Sequence, residues 1–177
     1  MYCFSDYDDM LEKDCAIKGD AYTQIINVCF RYAVMFSLTT TKKHPAMVSE
    51  APPPIFSQPH YNKGVSGGFR DTVYFFSCSE QAKTFLLSFT DDLFSWVDYE
   101  KPHRPEDLVF YREDGSVFFW SETHEGVCAL INRENEDVSS VVSQPGWERS
   151  TLKSHSPIYG VPCELWFENL CAPSIPR

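Results

Sequence analysis

LVFYREDGSVFFWSETHEGVCALI, residues 108–131, decides the reading of the fold. Two apolar runs, Leu108 to Tyr111 and Val117 to Trp120, flank an Asp114-Gly115 pair. Asp-Gly between such runs is a hairpin signal, because glycine takes positive φ without a steric penalty. A two-residue loop would pair Glu113 with Ser116, Tyr111 with Phe118 and Val109 with Trp120. A glycine-bulge loop would shift that register by one residue. In either register both faces carry bulky apolar groups, so the hairpin is expected to be central and covered on both sides. Glu125-Gly126 then turns the chain into Val127 to Ile131, which completes a three-stranded meander.

Working outward toward the N-terminus, Thr72 to Cys78 is rich in β-branched and aromatic residues and predicts another strand. Ser79 to Phe89 predicts a helix with Ser79 as its cap and Glu80 in its first turn. Phe94 to Val97 is a short apolar piece, a turn or an edge strand. From Asp20 to Leu38 apolar residues recur at spacings of three and four, which predicts one long helix with Asp20 as N-cap. A shorter helix is expected around Asp6 to Asp14. Residues 39–70 hold five prolines and three glycines within TTTKKHPAMVSEAPPPIFSQPHYNKGVSGG and are expected to form a long surface loop. Toward the C-terminus, Asn135 is expected to cap a helix ended by Pro145-Gly146, and a last strand is expected at Cys163 to Phe167. The chain of 177 residues thus predicts a single α+β domain spanning 1–177. Its antiparallel sheet has a central aromatic hairpin or meander packed against an N-terminal helix and short helices.

Composition excludes several classes. A hydrophobic fraction of 43%, with 14 Phe, 9 Tyr and 4 Trp, is that of a chain with a core. The longest apolar stretch, Ile25 to Leu38, is interrupted by Asn27 and Arg31 and is too short to cross a bilayer. The N-terminal MYCFSDYDDMLEKD is acidic where an export signal is basic, so a cytoplasmic location is expected. The seven cysteines (3, 15, 29, 78, 128, 163 and 171) include no Cys-x-x-Cys pair. They are expected to be free thiols in a reducing compartment, with neither disulfide nor metal.

The net charge of -10 is unevenly placed: Asp91 to Ser150 holds 14 acids and 5 bases, and the remainder holds 11 acids and 10 bases. Such a field repels nucleic acid and anionic membranes and attracts a basic protein. Aromatic residues interleave with the acids. The expected partner-binding surface is therefore Asp91, Asp92, Trp96, Asp98, Tyr99, Glu100, Glu106, Asp107, Glu122, His124 and Glu125, with His124 and Glu125 at its rim.

No catalytic motif competes with this surface. His124-Glu125 lacks the second histidine of a zinc-protease helix. Cys128, among Val127, Ala129 and Leu130, has no neighbour in the sequence to stabilise a thiolate. Gly64-Val65-Ser66-Gly67-Gly68 lacks the lysine of a phosphate loop. No nucleophile elbow or dinucleotide fingerprint is present, and no cofactor is expected.

The hairpin Tyr111-Arg112-Glu113-Asp114-Gly115, followed by Trp120 and the His124-Glu125 turn, resembles a pattern seen in bacterial immunity proteins that neutralise polymorphic toxins. So does the compact, acidic, aromatic-rich α+β character of the whole chain. The resemblance implies function by occlusion: a non-enzymatic protein covers the basic active site of a cognate toxin, such as a nuclease. It assigns no individual binding residue. Two alternatives stay open at this level. One is an enzyme or small-ligand protein with a pocket between the sheet and the N-terminal helix, and the other is a subunit of a larger cytosolic assembly.

Overall fold

A computed structural model of the chain describes residues 10–13, 16–40, 51–61, 70–96, 105–123 and 126–149. Among them, eight strands form one antiparallel sheet: β1 (Met10–Lys13), β2 (Met35–Thr40), β3 (Phe56–Tyr61), β4 (Arg70–Ser77), β5 (Glu106–Tyr111), β6 (Val117–Glu122), β7 (Val127–Ile131) and β8 (Glu148–Arg149). Their order is β3-β4-β2-β5-β6-β7-β1-β8. Helices α1 (Asp20–Tyr32), α2 (Glu80–Phe89) and α3 (Ser139–Val142) contribute to the core on one face. The α+β class, the aromatic hairpin and the N-terminal helix all stand as the sequence predicts.

The hairpin adopts the glycine-bulge form. Arg112 N donates to Ser116 O at 2.8 Å and Gly115 N donates to Arg112 O at 2.9 Å, with Gly115 at φ 81. Val109 faces Trp120 as in the two-residue register, but Tyr111 faces Val117 and the register shifts between Phe110 and Tyr111. Phe118 is the extra residue of that bulge. Strict alternation would send Phe118 and Phe119 to opposite faces. With the bulge between them, both join the helix-covered cluster, with Leu108, Phe110, Ile25, Ile26, Cys29 and Phe36. The opposite face buries Met35, Phe75, Val109, Tyr111, Trp120 and Ala129, a cluster that includes no helix residue among the described residues. The central strands are thus apolar on both faces, as expected. Each fully buried large side chain contributes about 1.5–3 kcal/mol.

Several expectations are corrected. The helix from Asp20 ends at Tyr32, because Ala33 turns extended (φ -98, ψ 149), and Met35–Thr40 is strand β2. A short apolar run such as MFSLTT fits either period, and pairing on both sides with β4 and β5 decides it. The N-cap is Gly19 at φ 58, with Asp20 in the first turn. Within the expected helix at 6–14, Met10–Lys13 is strand β1. The expected loop at 39–70 contains the end of β2, the start of β4 and all of β3. Pro59 is compatible with β3 because that strand is the sheet edge, where a missing N–H breaks no inner ladder. Of the two readings of Phe94 to Val97, the described residues bear out the turn: a 3-10 turn covers Leu93–Ser95. Asn135 caps nothing. The short α3 follows Val138, the Asp137 carboxylate accepts from Ser139 N at 3.1 Å, and the helix stops at Val142, before Pro145. The strand expected at Cys163 to Phe167 lies outside the described residues.

Candidate functional site

The registers give the molecule two ends. β2 starts opposite Tyr111, and Val34 N donates to Tyr111 O at 2.9 Å, so α1 finishes at the hairpin-tip end. Thirteen helical residues and a six-residue strand both span about 20 Å, so α1 starts at the opposite end. α2 begins beside the tip, where Cys78 N donates to Val34 O at 2.9 Å, and runs the other way. The residues after it therefore meet the start of α1: Gly19 N donates to Asp91 O at 2.7 Å, and Lys18 bridges to Asp92. β5 also starts at this far end, and β6 finishes there.

The far end consequently collects Asp91 and Asp92, Glu106 and Asp107, and Glu122 from three separate stretches. Asp20, which the sequence reading did not select, joins them. Its place could not be read locally, because which acids meet depends on the direction in which α1 crosses the sheet. Asp20 and Asp91 are exposed; Asp92, Asp107 and Glu122 are half-buried. Lys18 is the described basic side chain there, and the backbones of Lys13 and Arg70 also reach this end.

Individual roles differ. Asp92 Oδ1 accepts from Phe94 N at 3.1 Å and Oδ2 meets Lys18 Nζ at 2.9 Å. The Asp92 hydrogen bond and charge hold the Lys18 ammonium above its ordinary pKa. Asp107 sits at φ 54, a left-handed conformation that Asp tolerates better than most residues. Its carboxylate accepts from Thr123 N at 3.1 Å and its own N–H donates to Thr123 Oγ1 at 3.2 Å. Leu108 N donates to Ser121 Oγ at 3.1 Å beside it. Side chains thus take over from backbone pairing where β5 and β6 part.

Two members of the expected surface are enclosed, and this corrects their assignment. Trp96 is 0% exposed: it stacks on Phe89 at 4.9 Å, and its Nε1 donates to Tyr22 Oη at 3.3 Å. Tyr22 Oη in turn donates to Leu86 O at 3.0 Å, and burial pushes its pKa far above the ordinary value. Trp96 is a core residue because α1 and α2 close over it. Glu106 is 3% exposed at the start of β5, so it too presents no free surface. Asp98, Tyr99, Glu100, His124 and Glu125 lie outside the described residues.

The tip end carries acids as well: Glu113, Glu134 and Asp137 are exposed, while Asp114 and Glu136 are paired with arginines. The Arg112 guanidinium, enclosed beside the Phe118 ring at 5.0 Å, donates from Nε to Glu136 Oε1 at 2.6 Å and from Nη2 to Glu136 Oε2 at 2.7 Å. It also donates to Val117 O and Ile131 O. Burial opposes ionisation of Glu136, but Arg112 and the Arg133 N–H outweigh it and keep the carboxyl below its ordinary pKa. At Asp114 burial is likewise outweighed, by Ser116 and by Arg133 Nη2 at 2.6 Å, and the pKa is drawn down to about 2.

Described groups offer little to a catalytic reading. The space between sheet and α1, where the alternative placed a pocket, is filled by fully enclosed Ile25, Ile26, Cys29, Phe36 and Phe110. An open groove of about 490 Å³ is lined by Gln81, Thr84, Phe85, Ser88 and Phe89 of α2 and by Pro52. No charged side chain lines it, and the Thr84 and Ser88 hydroxyls donate to Glu80 O and Phe85 O. Cys29, Cys78 and Cys128 are free thiols; burial pushes Cys29 well up and Cys78 to about 12, so neither is a thiolate at neutral pH. Among the described residues no group of three or more His, Cys, Asp or Glu could hold a metal ion. No described helix is long and apolar enough to cross a membrane. The chain matches no family model, no curated protein and no solved structure.

Proposed function

We propose that the chain is a non-enzymatic binding protein whose acidic end docks on a basic protein surface, in the manner of a bacterial immunity protein covering a toxin's active site. One observation carries the reading. Asp20, Asp91, Asp92, Asp107 and Glu122, distant in sequence, lie at one end of the sheet, where Asp20 and Asp91 are exposed. A nuclease or other enzyme of polyanions presents a basic cleft, and convergent carboxylates complement it. Charge complementarity of this kind acts chiefly on the association rate and falls with salt.

The test starts with affinity capture from the source cells and continues with association kinetics of the captured basic protein at two salt concentrations. Changing Asp91, Asp92 and Asp98 to Asn and Glu100 to Gln should slow association about tenfold or more at low salt and less at high salt. In Asp92→Asn the side-chain amide oxygen can still accept from Phe94 N, so folding should be nearly unaffected. The proposal fails if the neutralised protein associates as fast as the original. It also fails if the robust activity is turnover of a small substrate that His124→Ala abolishes in a folded protein.

A further inference from the structure

We propose that residues 132–149 form a strap that opens as one unit over α1 while the sheet and the other helices stay folded, with the Arg112–Glu136 pair as its latch. This inference concerns the tip end and is independent of the acidic surface. After β7 the strap crosses the end of α1, forms the single turn of α3 and finishes as β8. Its enclosed apolar side chains are Val138 and Val141, with Val142 and Trp147 packed in part. Its other described ties are largely polar. Glu136 holds Arg112, Arg133 holds Asp114 at 2.6 Å, Asp137 N donates to Tyr32 Oη at 2.7 Å and Gln144 Nε2 donates to Gln24 Oε1 at 2.8 Å. A four-residue helix has no stability of its own, and among the described residues β8 meets β1 at two positions. Few apolar contacts and many exchangeable polar ones mark a segment that opens below the cost of global unfolding.

The latch has two satisfied states. Closed, the Arg112 Nε and Nη2 donors grip Glu136. Open, Glu136 returns to water, while Arg112 keeps Val117 O, Ile131 O and Ser116 Oγ and takes water in place of the carboxylate. Opening releases Tyr32 and Gln24 on α1 from Asp137 and Gln144 and frees the β1 edge that β8 pairs with.

Native-state hydrogen exchange of the full chain over low denaturant concentrations tests this. The bonded amides of Arg133, Asp137, Val142, Ser143 and Gln144 should share one opening constant, at least about tenfold larger than that of Phe110 and Phe119. Their opening should depend more weakly on denaturant, since little surface is exposed. Glu136→Gln should raise all of them together by about a hundredfold, because it leaves Arg112 without its counter-charge in the closed state alone. Strap amides that share the opening constant and denaturant dependence of the sheet in the unmodified protein would overturn the proposal. So would an effect of Glu136→Gln confined to Arg133 and its immediate neighbours. The unmodified protein decides the matter if the variant does not fold.

Discussion

Replacing Trp96 separates a core role from an interface role. The indole is fully enclosed, stacked on Phe89 and hydrogen-bonded to Tyr22. Trp96→Ala removes a whole buried ring system, so it should destabilise the fold by about 3–5 kcal/mol. Trp96→Phe keeps an aromatic ring against Phe89 but deletes the Nε1 donor. Tyr22 Oη still donates to Leu86 O and loses one incoming bond, so this change should cost about 1 kcal/mol, plus a small cavity term. Tyr22→Phe strands both the Trp96 Nε1 donor and the Leu86 carbonyl, and should cost about 1–3 kcal/mol. The assay is equilibrium denaturant unfolding, read as midpoints at unchanged slope. The reasoning is refuted if Trp96→Ala leaves the midpoint within error of the original, or if Trp96→Phe weakens partner binding sharply without altering stability. Either result would place the indole on a surface instead of between α1 and α2.

Other outcomes follow from the same contacts. Gly115→Val forces a β-branched residue to φ 81 and should cost roughly 1 kcal/mol or more, measured as a fall in unfolding midpoint. Trp120→Ala, on the face opposite the described helices at 5% exposure, should cost about 3–5 kcal/mol in the same assay. Asp114, with its folded pKa depressed to about 2, contributes stability that is fully present above the ordinary carboxylate range and lost as pH falls toward that value. The stability difference between the original and Asp114→Asn, followed by unfolding at stepwise lower pH, should therefore shrink between about pH 5 and pH 2. Cys29 and Cys128, both enclosed, should react with a thiol reagent far more slowly in the native than in the denatured protein at neutral pH, and equal rates would contradict their burial.

Local chemistry carried much of the architecture. Asp114-Gly115 between apolar runs specifies a hairpin whatever surrounds it, because positive φ is a property of one residue. Ser79 caps α2 as predicted, with its hydroxyl accepting from Ala82 N at 3.2 Å, since an N-cap bond spans three residues. The concentration of acids between Asp91 and Ser150 is likewise visible in the chain itself. Tertiary structure decided whatever depends on distant partners. MFSLTT at 35–40 suits helix or strand, and its place between β4 and β5 makes it a strand. Pro59 signals a loop until the sheet puts its strand at the edge. The bulge at Phe118 reassigns two phenylalanines to one face, which no count of alternating residues reveals. Trp96 and an exposed aromatic anchor look alike in sequence, and burial depends on α1 and α2 meeting over it. Sequence spacing places charges along the chain, but electrostatic and packing energies depend on distance in space. Only the fold, therefore, brings Asp20 to Asp91 and Asp107 while giving Asp114 and Glu136 to arginines.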